Sequence, residues 1–347
     1  VSAMSHDYKI VQWTPFKTQV DVVLLIGISL FIGAYVGAAL MPSSGRAPHE
    51  MQIAMRAFGG CAFALLTLIL AIGPLARLSP RFLPLLYNRR HLGVACFLLA
   101  LTHAVLVVIW YHAFSDLDPF TSLLTSNPRY DSIRGFPFES LGLIALAILF
   151  VMAATSHDFW NTVLGPALWK AIHMAVYWAY ALIVAHVMLG AVQAEKSFWF
   201  ASLVGAGAAC VAGLHIIAGR RERVRDAKLA ADSLDGWIAV GALGDIPDQR
   251  ARIVTPPTGE RIAVFRDGDQ VFAISNVCRH QGGPLGEGAI IDGCVTCPWH
   301  GYQYRPQDGR APPPFTERVA TYRTRIEAGS VFVHPDPAPF DTGEAPS

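Results

Sequence analysis

Six long apolar runs fill the first two thirds of the chain and leave it few folds to choose from. They lie at about 21–41, 54–76, 91–112, 139–155, 168–192 and 198–218. At ~1.5 Å rise per residue, runs of about 17–25 residues cross a bilayer as helices. Hydrocarbon offers no hydrogen bonds, so a chain inside it must satisfy its own backbone. The fourth run is the shortest. Of 347 residues, 53% are hydrophobic and only 15% charged, the balance of a multi-pass membrane protein. Trp110, Tyr111, Trp160, Trp169 and Trp199 sit near run ends, where amphipathic rings settle at the interface. Six transmembrane helices over 21–219 are expected, after a short amphipathic lead at 1–20.

Lysine and arginine are shared unequally between the two ends of these helices. One side receives Lys9, Lys17, Arg77, Arg81, Arg89, Arg90, Lys170 and the cluster Arg220, Arg221, Arg223, Arg225 and Lys228. The other receives Arg46, Arg56, Arg129, Arg134 and Lys196. The basic side is cytoplasmic by the positive-inside rule. Both termini then face the cytoplasm of a cell whose inner membrane holds the chain. The net charge of +1 gives no reason to expect a nucleic-acid partner. No cleavable leader is expected, because the first apolar run is too long and lacks a small-residue cleavage pattern.

The texture changes after the sixth run. Residues 220–235 form a charged, Ala-rich linker that reads as a continuation of the helix. From 236 to 335 short alternating strands such as Gln270–Ser275 are broken by Asp267-Gly268 and Asp308-Gly309, as in a small antiparallel β domain. A Pro-rich tail, 336–347, follows. Of the six cysteines, Cys61, Cys96 and Cys210 lie in apolar runs and Cys294 in a strand. Those four read as packing residues, not a disulfide framework.

The other two cysteines head the motifs Cys278-Arg279-His280 and Cys297-Pro298-Trp299-His300. Two thiolates and two imidazoles in two short loops suit a Rieske [2Fe–2S] centre, with the Cys pair on one iron and the His pair on the other. A Cys2His2 zinc finger would place its Cys pair before its His pair, and this order differs. The run His280-Gln-Gly-Gly-Pro-Leu together with Cys297-Pro-Trp-His300-Gly resembles the Rieske ferredoxin family. The candidate cluster ligands are therefore Cys278, His280, Cys297 and His300.

The membrane runs hold histidines, and ionisable residues there are functional candidates by default. The third run has His91, His103 and His112, the fifth His173 and His186, and the sixth His215. The third and fifth helices run in parallel. His91 and His103 are separated by roughly 18 Å of rise, His173 and His186 by roughly 20 Å. Pairing His91 with His173 and His103 with His186 would hold two b-type haems, one near each face. Facing agrees less well than rise. Thirteen residues leave His173 and His186 roughly 140° apart on an ideal helix, so the fifth needs a bend. A single haem, or an inner one with other ligands, stays open. Arg89 or Arg90 suits a haem propionate, and His112 is left on the acceptor side.

Arg89-Arg90-His91-Leu92-Gly93, His103, Ala154-Thr155-Ser156, Trp169-Lys170-Ala171-Ile172-His173 and His186 resemble the ferric-reductase-like transmembrane family. The likeness covers about 50–215 and implies haem ligands at His103, His173 and His186. Family oxidases and ferric reductases end in a flavin and nicotinamide module. Here no Gly-x-Gly-x-x-Gly follows, and the Rieske-like segment takes that place. The expected fold is an all-α six-helix transmembrane haem bundle followed by a small all-β Rieske domain.

High-potential Rieske proteins of quinol-oxidising cytochrome complexes have an extra Cys in each loop and a Ser after the second. Gly283, Trp299 and Tyr302 stand there. Fewer hydrogen bonds to sulfur lower the potential, toward roughly −150 mV. The expected function is transmembrane electron transfer. The donor is a cytoplasmic NAD(P)H-dependent flavoprotein reductase or a ferredoxin-type protein, and the acceptor lies outside. A docking role for the loop from Ala113 to Phe138, with Arg129, Tyr130 and Arg134, belongs to this reading. The alternatives are a quinone-linked cytochrome b/Rieske oxidoreductase and a redox sensor that signals without turnover. A Rieske oxygenase fits poorly, since no two-His-one-carboxylate domain follows.

Overall fold

The computed structural model describes residues 15–41, 49–82, 85, 89–126, 132–133, 135–230, 233–234, 236–256, 260–280, 282–298, 301–313 and 315–339. The chain divides into two compact units at Ala218/Gly219. One is helical and the other is built of strands.

The helical unit has α1 (Pro15–Ala39), α2 (Glu50–Leu78), α3 (Arg89–Val107), α4 (Pro119–Thr125), α5 (Phe138–Ala154), α6 (Asp158–Met174), α7 (Val176–Val187) and α8 (Phe198–Ala230). Among the described residues, five helical stretches are long and apolar enough to cross a membrane: Thr18–Ala39, Glu50–Leu78, Arg89–His112, Leu168–Glu195 and Phe198–Arg221. The fourth expected span forms the 17-residue α5, at the short limit for crossing. Apolar side chains cover the outside of the unit. Val23, Leu30 and Trp178 are 68%, 67% and 73% exposed, which suits hydrocarbon and not water.

Inside, α2 packs on α3 and α5 on α7. Leu65, Leu66 and Leu70 of α2 meet Cys96 and Leu99 of α3, Leu149 of α5, and Ala179 and Tyr180 of α7. Cys61 and Cys96 are buried as small packing residues, and Cys210 is exposed on its helix. Two helices depart from α geometry. Val108–His112 continues α3 as a π-helix, and Met188–Val192 does the same after α7. The fifth expected span breaks at Ala175 between α6 and α7. The backbone at Ala175 stays in the right-handed helical region, φ −62° and ψ −10°, and Leu168–Glu195 remains one stretch long enough to cross a membrane.

The β unit contains a seven-stranded antiparallel sheet and a three-stranded one. The strands are β1 (Ser233–Leu234), β2 (Trp237–Ala242), β3 (Ala251–Val254), β4 (Ile262–Asp267), β5 (Gln270–Ser275), β6 (Ala289–Ile291), β7 (Cys294–Thr296), β8 (Gln303–Tyr304), β9 (Thr321–Glu327) and β10 (Ser330–Pro337). The large sheet runs β1-β2-β10-β9-β5-β4-β3 and the small one β6-β7-β8. The β4–β5 hairpin pairs Asp267 with Gln270, so its two-residue loop is Gly268–Asp269. That is one residue later than the Asp267-Gly268 turn expected from sequence. Gly268 takes the positive φ of 60° that such tight turns require. Ile262, Val264, Val331 and Val333 are buried on one core, and Ala263, Phe265 and Ile274 on another that holds the Cys loops.

Gly288 leads into β6, and a Cβ there would stand 2.0 Å from the Thr296 carbonyl oxygen of β7. Neither backbone can yield without breaking the Ala289–Thr296 pair. Gly288→Ala should destabilise the small sheet by about 2 kcal/mol or more. Amide hydrogen exchange on the full chain should show faster exchange across 289–304 and unchanged exchange in β9 and β10.

Candidate functional site

Two sites emerge, one in each unit. In the β unit the first Cys loop follows β5 and the second joins β7 to β8. The two loops close in the same way. Gly282 N–H donates to the Cys278 carbonyl at 2.7 Å, and Gly301 N–H donates to the Cys297 carbonyl at 2.9 Å. Cys278 N–H reaches Gly283 O at 2.9 Å, and Cys297 N–H reaches Tyr302 O at 2.8 Å. Gly282 and Gly301 both adopt the left-handed region, φ 73° and 71°, which a Cβ disfavours. The motifs thus fold as two copies of one turn, each presenting a cysteine.

Cys278 and Cys297 are buried in the same core. His280 lies with its ring flat against Tyr302, centroids 5.2 Å apart and 8° from parallel. His300, the fourth expected ligand, lies outside the described residues, as do Arg129, Tyr130 and Arg134 of the expected docking loop. No three His, Cys, Asp or Glu side chains converge on one point among the described residues. A two-iron site divides its ligands between two metals. Two buried sulfurs beside an oriented imidazole, on loops whose backbone bonds are already spent, fit that donor set.

The sequence reading missed one side chain here. Tyr304 of β8 places its hydroxyl 3.5 Å from Cys278 Sγ and accepts from Arg279 N–H at 3.0 Å. Burial, first, and then the adjacent Cys278 push the Tyr304 phenol far above its ordinary pKa, so it stays protonated. Against a thiolate it can only donate. The Tyr302 hydroxyl instead donates to Glu317. Position 302, where a cluster-bonding Ser would stand, therefore turns its hydroxyl to a carboxylate, while position 304 offers one bond to sulfur.

In the helical unit His103 and His186 stand on separate helices with ring centroids 6.4 Å apart and planes at 80°. Two imidazoles bonded through Nε2 to one metal, each at ~2.0 Å, place their centroids roughly 6 Å apart. His103 Nδ1–H donates to Met55 O and His186 Nδ1–H to Phe138 O, both at 2.8 Å. A carbonyl only accepts, so Nδ1 holds the proton and Nε2 is left as the donor atom. Gly59 and Gly142 make room for these rings. A Cβ at Gly59 would fall 2.8 Å from His103 Nδ1, and one at Gly142 2.9 Å from the His186 ring. Both rings line a cavity of about 1620 Å³ with apolar walls. Those observations fit a bis-His haem.

The other two expected ligands are placed differently. His173 Nδ1–H donates to Trp169 O at 2.9 Å, and the two rings stack at 3.8 Å. Trp169 is fixed in turn by its Nε1–H to Thr155 O. His173 Nε2 is buried without a hydrogen bond among the described residues. His91 Nδ1 meets both carboxylate oxygens of Asp21, at 2.8 and 2.9 Å. A carboxylate behind an imidazole is a common arrangement for metal-binding histidines, and it is equally a plain ion pair. The structure brings His103 and His186 together and ties His91 to α1.

Two outcomes follow. Tyr304→Phe should retain the [2Fe–2S] signal and lower its midpoint potential, as read by EPR-monitored titration. Gly59→Ala, which crowds His103, should reduce bound haem per polypeptide at least several-fold by pyridine haemochrome assay.

The description "Ferric reductase like transmembrane component" matches residues 58–184 as a family model, and "Rieske [2Fe-2S] domain" matches 236–323. The anthranilate 1,2-dioxygenase ferredoxin subunit of Burkholderia cepacia is 38% identical over 107 residues, 29% of this chain and 94% of that protein. Ferredoxin CarAc of Metapseudomonas resinovorans is 30% identical over 98 residues, 28% of this chain and 92% of that one. A solved chain from the complex of reduced oxygenase and oxidised ferredoxin in carbazole 1,9a-dioxygenase is 27% identical, covering 30% of this chain and 98% of its own, with a TM-score of 0.29. This chain belongs among the membrane oxidoreductases in which a ferric reductase-like transmembrane component is joined to a C-terminal Rieske [2Fe-2S] domain.

Proposed function

We propose that the chain moves electrons across a cell inner membrane, from a cytoplasmic donor to an acceptor outside. The observation that supports this most is the His103–His186 pair, whose ring separation, fixed tautomers and glycine clearance would let the two residues hold a haem between them. Six helices cross the bilayer, α5 being the shortest, with both termini and the Rieske unit on the cytoplasmic side favoured by Lys and Arg. The working segments are a lead at 1–20, a haem bundle at 21–219, a linker at 220–235, the Rieske domain at 236–335 and a tail at 336–347.

Bound there, a [2Fe–2S] cluster and b-type haem supply one-electron carriers where side chains alone conduct none. The chain's residues hold and insulate them. Cys278 and Cys297 are the thiolate donors, and His280 and His300 the imidazole donors. His103 and His186 hold the haem near the outer face. His173, with His91 the candidate partner, serves a second site near the inner face. Trp169 orients His173, and Asp21 orients His91. Tyr302, standing where a high-potential centre has a Ser, turns its hydroxyl to Glu317, which favours a low-potential cluster and a donor of nicotinamide strength, namely an NAD(P)H-dependent flavoprotein reductase or a ferredoxin-type protein. The relatives named as ferredoxin subunits support a carrier role for the Rieske unit.

The test is an optical and EPR redox titration of the full chain in detergent. Two bis-His haems predict a split α-band titration. His103→Ala or His186→Ala should remove the same haem, and His91→Ala the other. Retention of full haem by both His103→Ala and His186→Ala sinks the proposal. Cysteine labelling that places the Rieske unit outside the cell reverses its direction.

A further inference from the structure

The cavity that takes in His103 and His186 reaches a chamber lined by α4, the π-helical end of α3 and the start of α5. Ser122 of α4, His112 of the π segment and Glu139 of α5 all line it. His112 is the one buried polar or charged side chain among the described residues of the helical unit, 5% exposed. It stands nine residues beyond His103, roughly 13 Å further along the axis.

Its hydrogen bond sets it apart from the histidines assigned to iron. His103, His173 and His186 each face a carbonyl through Nδ1, and His91 faces a carboxylate. Those partners only accept, so each ring is held in one tautomer. His112 Nδ1 instead faces the Ser122 hydroxyl at 3.0 Å. A hydroxyl donates or accepts, so this ring can give a proton from one nitrogen and take one back at the other. π-helical turns inside α-helices often mark functional sites. Here the π turn carries His112 against the chamber.

Resting on the transfer reading above, we infer that this chamber binds a quinone-type acceptor and that His112 is its proton donor. The cavity wall is mostly apolar, as a flat uncharged ring requires, and the bonded His112–Ser122 pair offers a polar contact for a carbonyl oxygen. The reduction balances as quinone plus two electrons plus two protons to hydroquinone. The electrons come from the bundle. The His112 Nε2–H bond breaks as an O–H bond forms on the quinone, and a proton returns at Nδ1 through Ser122. Ser122 takes a replacement proton from water, and the second oxygen, at the far end of the quinone ring, takes its proton from water directly.

The test reduces the full chain in nanodiscs with dithionite. Haem reoxidation is then followed with a short-chain quinone, which takes up protons, or with ferricyanide, which takes up none. His112→Ala should lower the ratio of quinone rate to ferricyanide rate by about a hundredfold at unchanged haem content and midpoint potentials. Ser122→Ala should lower the same ratio by less. An unchanged ratio in both variants overturns the inference, and so does a shift in haem potential. If His112→Ala loses haem, the Ser122→Ala ratio decides. A wild-type chain that reduces neither acceptor overturns the transfer reading itself.

Discussion

Every polar group inside hydrocarbon must find its partner within the protein, and the histidines of the bundle are built around that demand. His103 and His186 each spend one ring nitrogen on a carbonyl near the start of a neighbouring helix, Met55 and Phe138. One bond solves three problems. It satisfies a buried donor, fixes the tautomer and leaves the other nitrogen as the donor atom. Gly59 and Gly142 are the counterpart on the opposing helices, since any side chain there would occupy the imidazole's space. Without those bonds the two rings would have no reason to stand 6.4 Å apart.

The β unit reaches order by another route. In water its strands can bury apolar residues, and the loops that bear Cys278 and Cys297 are closed by main-chain bonds. Tyr302 and Tyr304 then fill the space around the sulfurs. Their hydroxyls go to different partners, Glu317 and the Cys278 sulfur. Of the two phenols, Tyr304 is therefore the one placed to tune the Cys278 sulfur.

Much of this was legible in residue types and spacings. Apolar run length located the helices, and the two Cys/His motifs located the loop after β5 and the loop between β7 and β8. The thirteen-residue gap between His173 and His186 calls for a bend or rewinding on an ideal helix, and the chain there shows a one-residue interruption at Ala175 and a π-helical turn after His186. Other features gave no linear signal. Gly59 and Gly142 are ordinary helix glycines until a ring from a helix distant in sequence is laid over them. Tyr304 reads as a strand residue, because its contact with Cys278 depends on how β8 lies against the first loop. The short fourth run becomes the short α5: its apolar stretch ends at Thr155, where the helix also ends. Asp21 lies in α1, ahead of the matched family segment, so a family likeness drew no attention to it. Trp299 and His300 lie outside the described residues, and the second loop is read from Cys297, Gly301 and Tyr302 alone.

The paired closures of the Cys loops have a consequence for how such a carrier changes over time. Their shape is written in amide and carbonyl groups that every residue possesses, with glycine needed at only one place in each. Side chains facing the sulfurs are then free to be exchanged without reshaping the cradle. A lineage can retune the voltage of this electrode one substitution at a time, while the mould that holds the iron stays as it was.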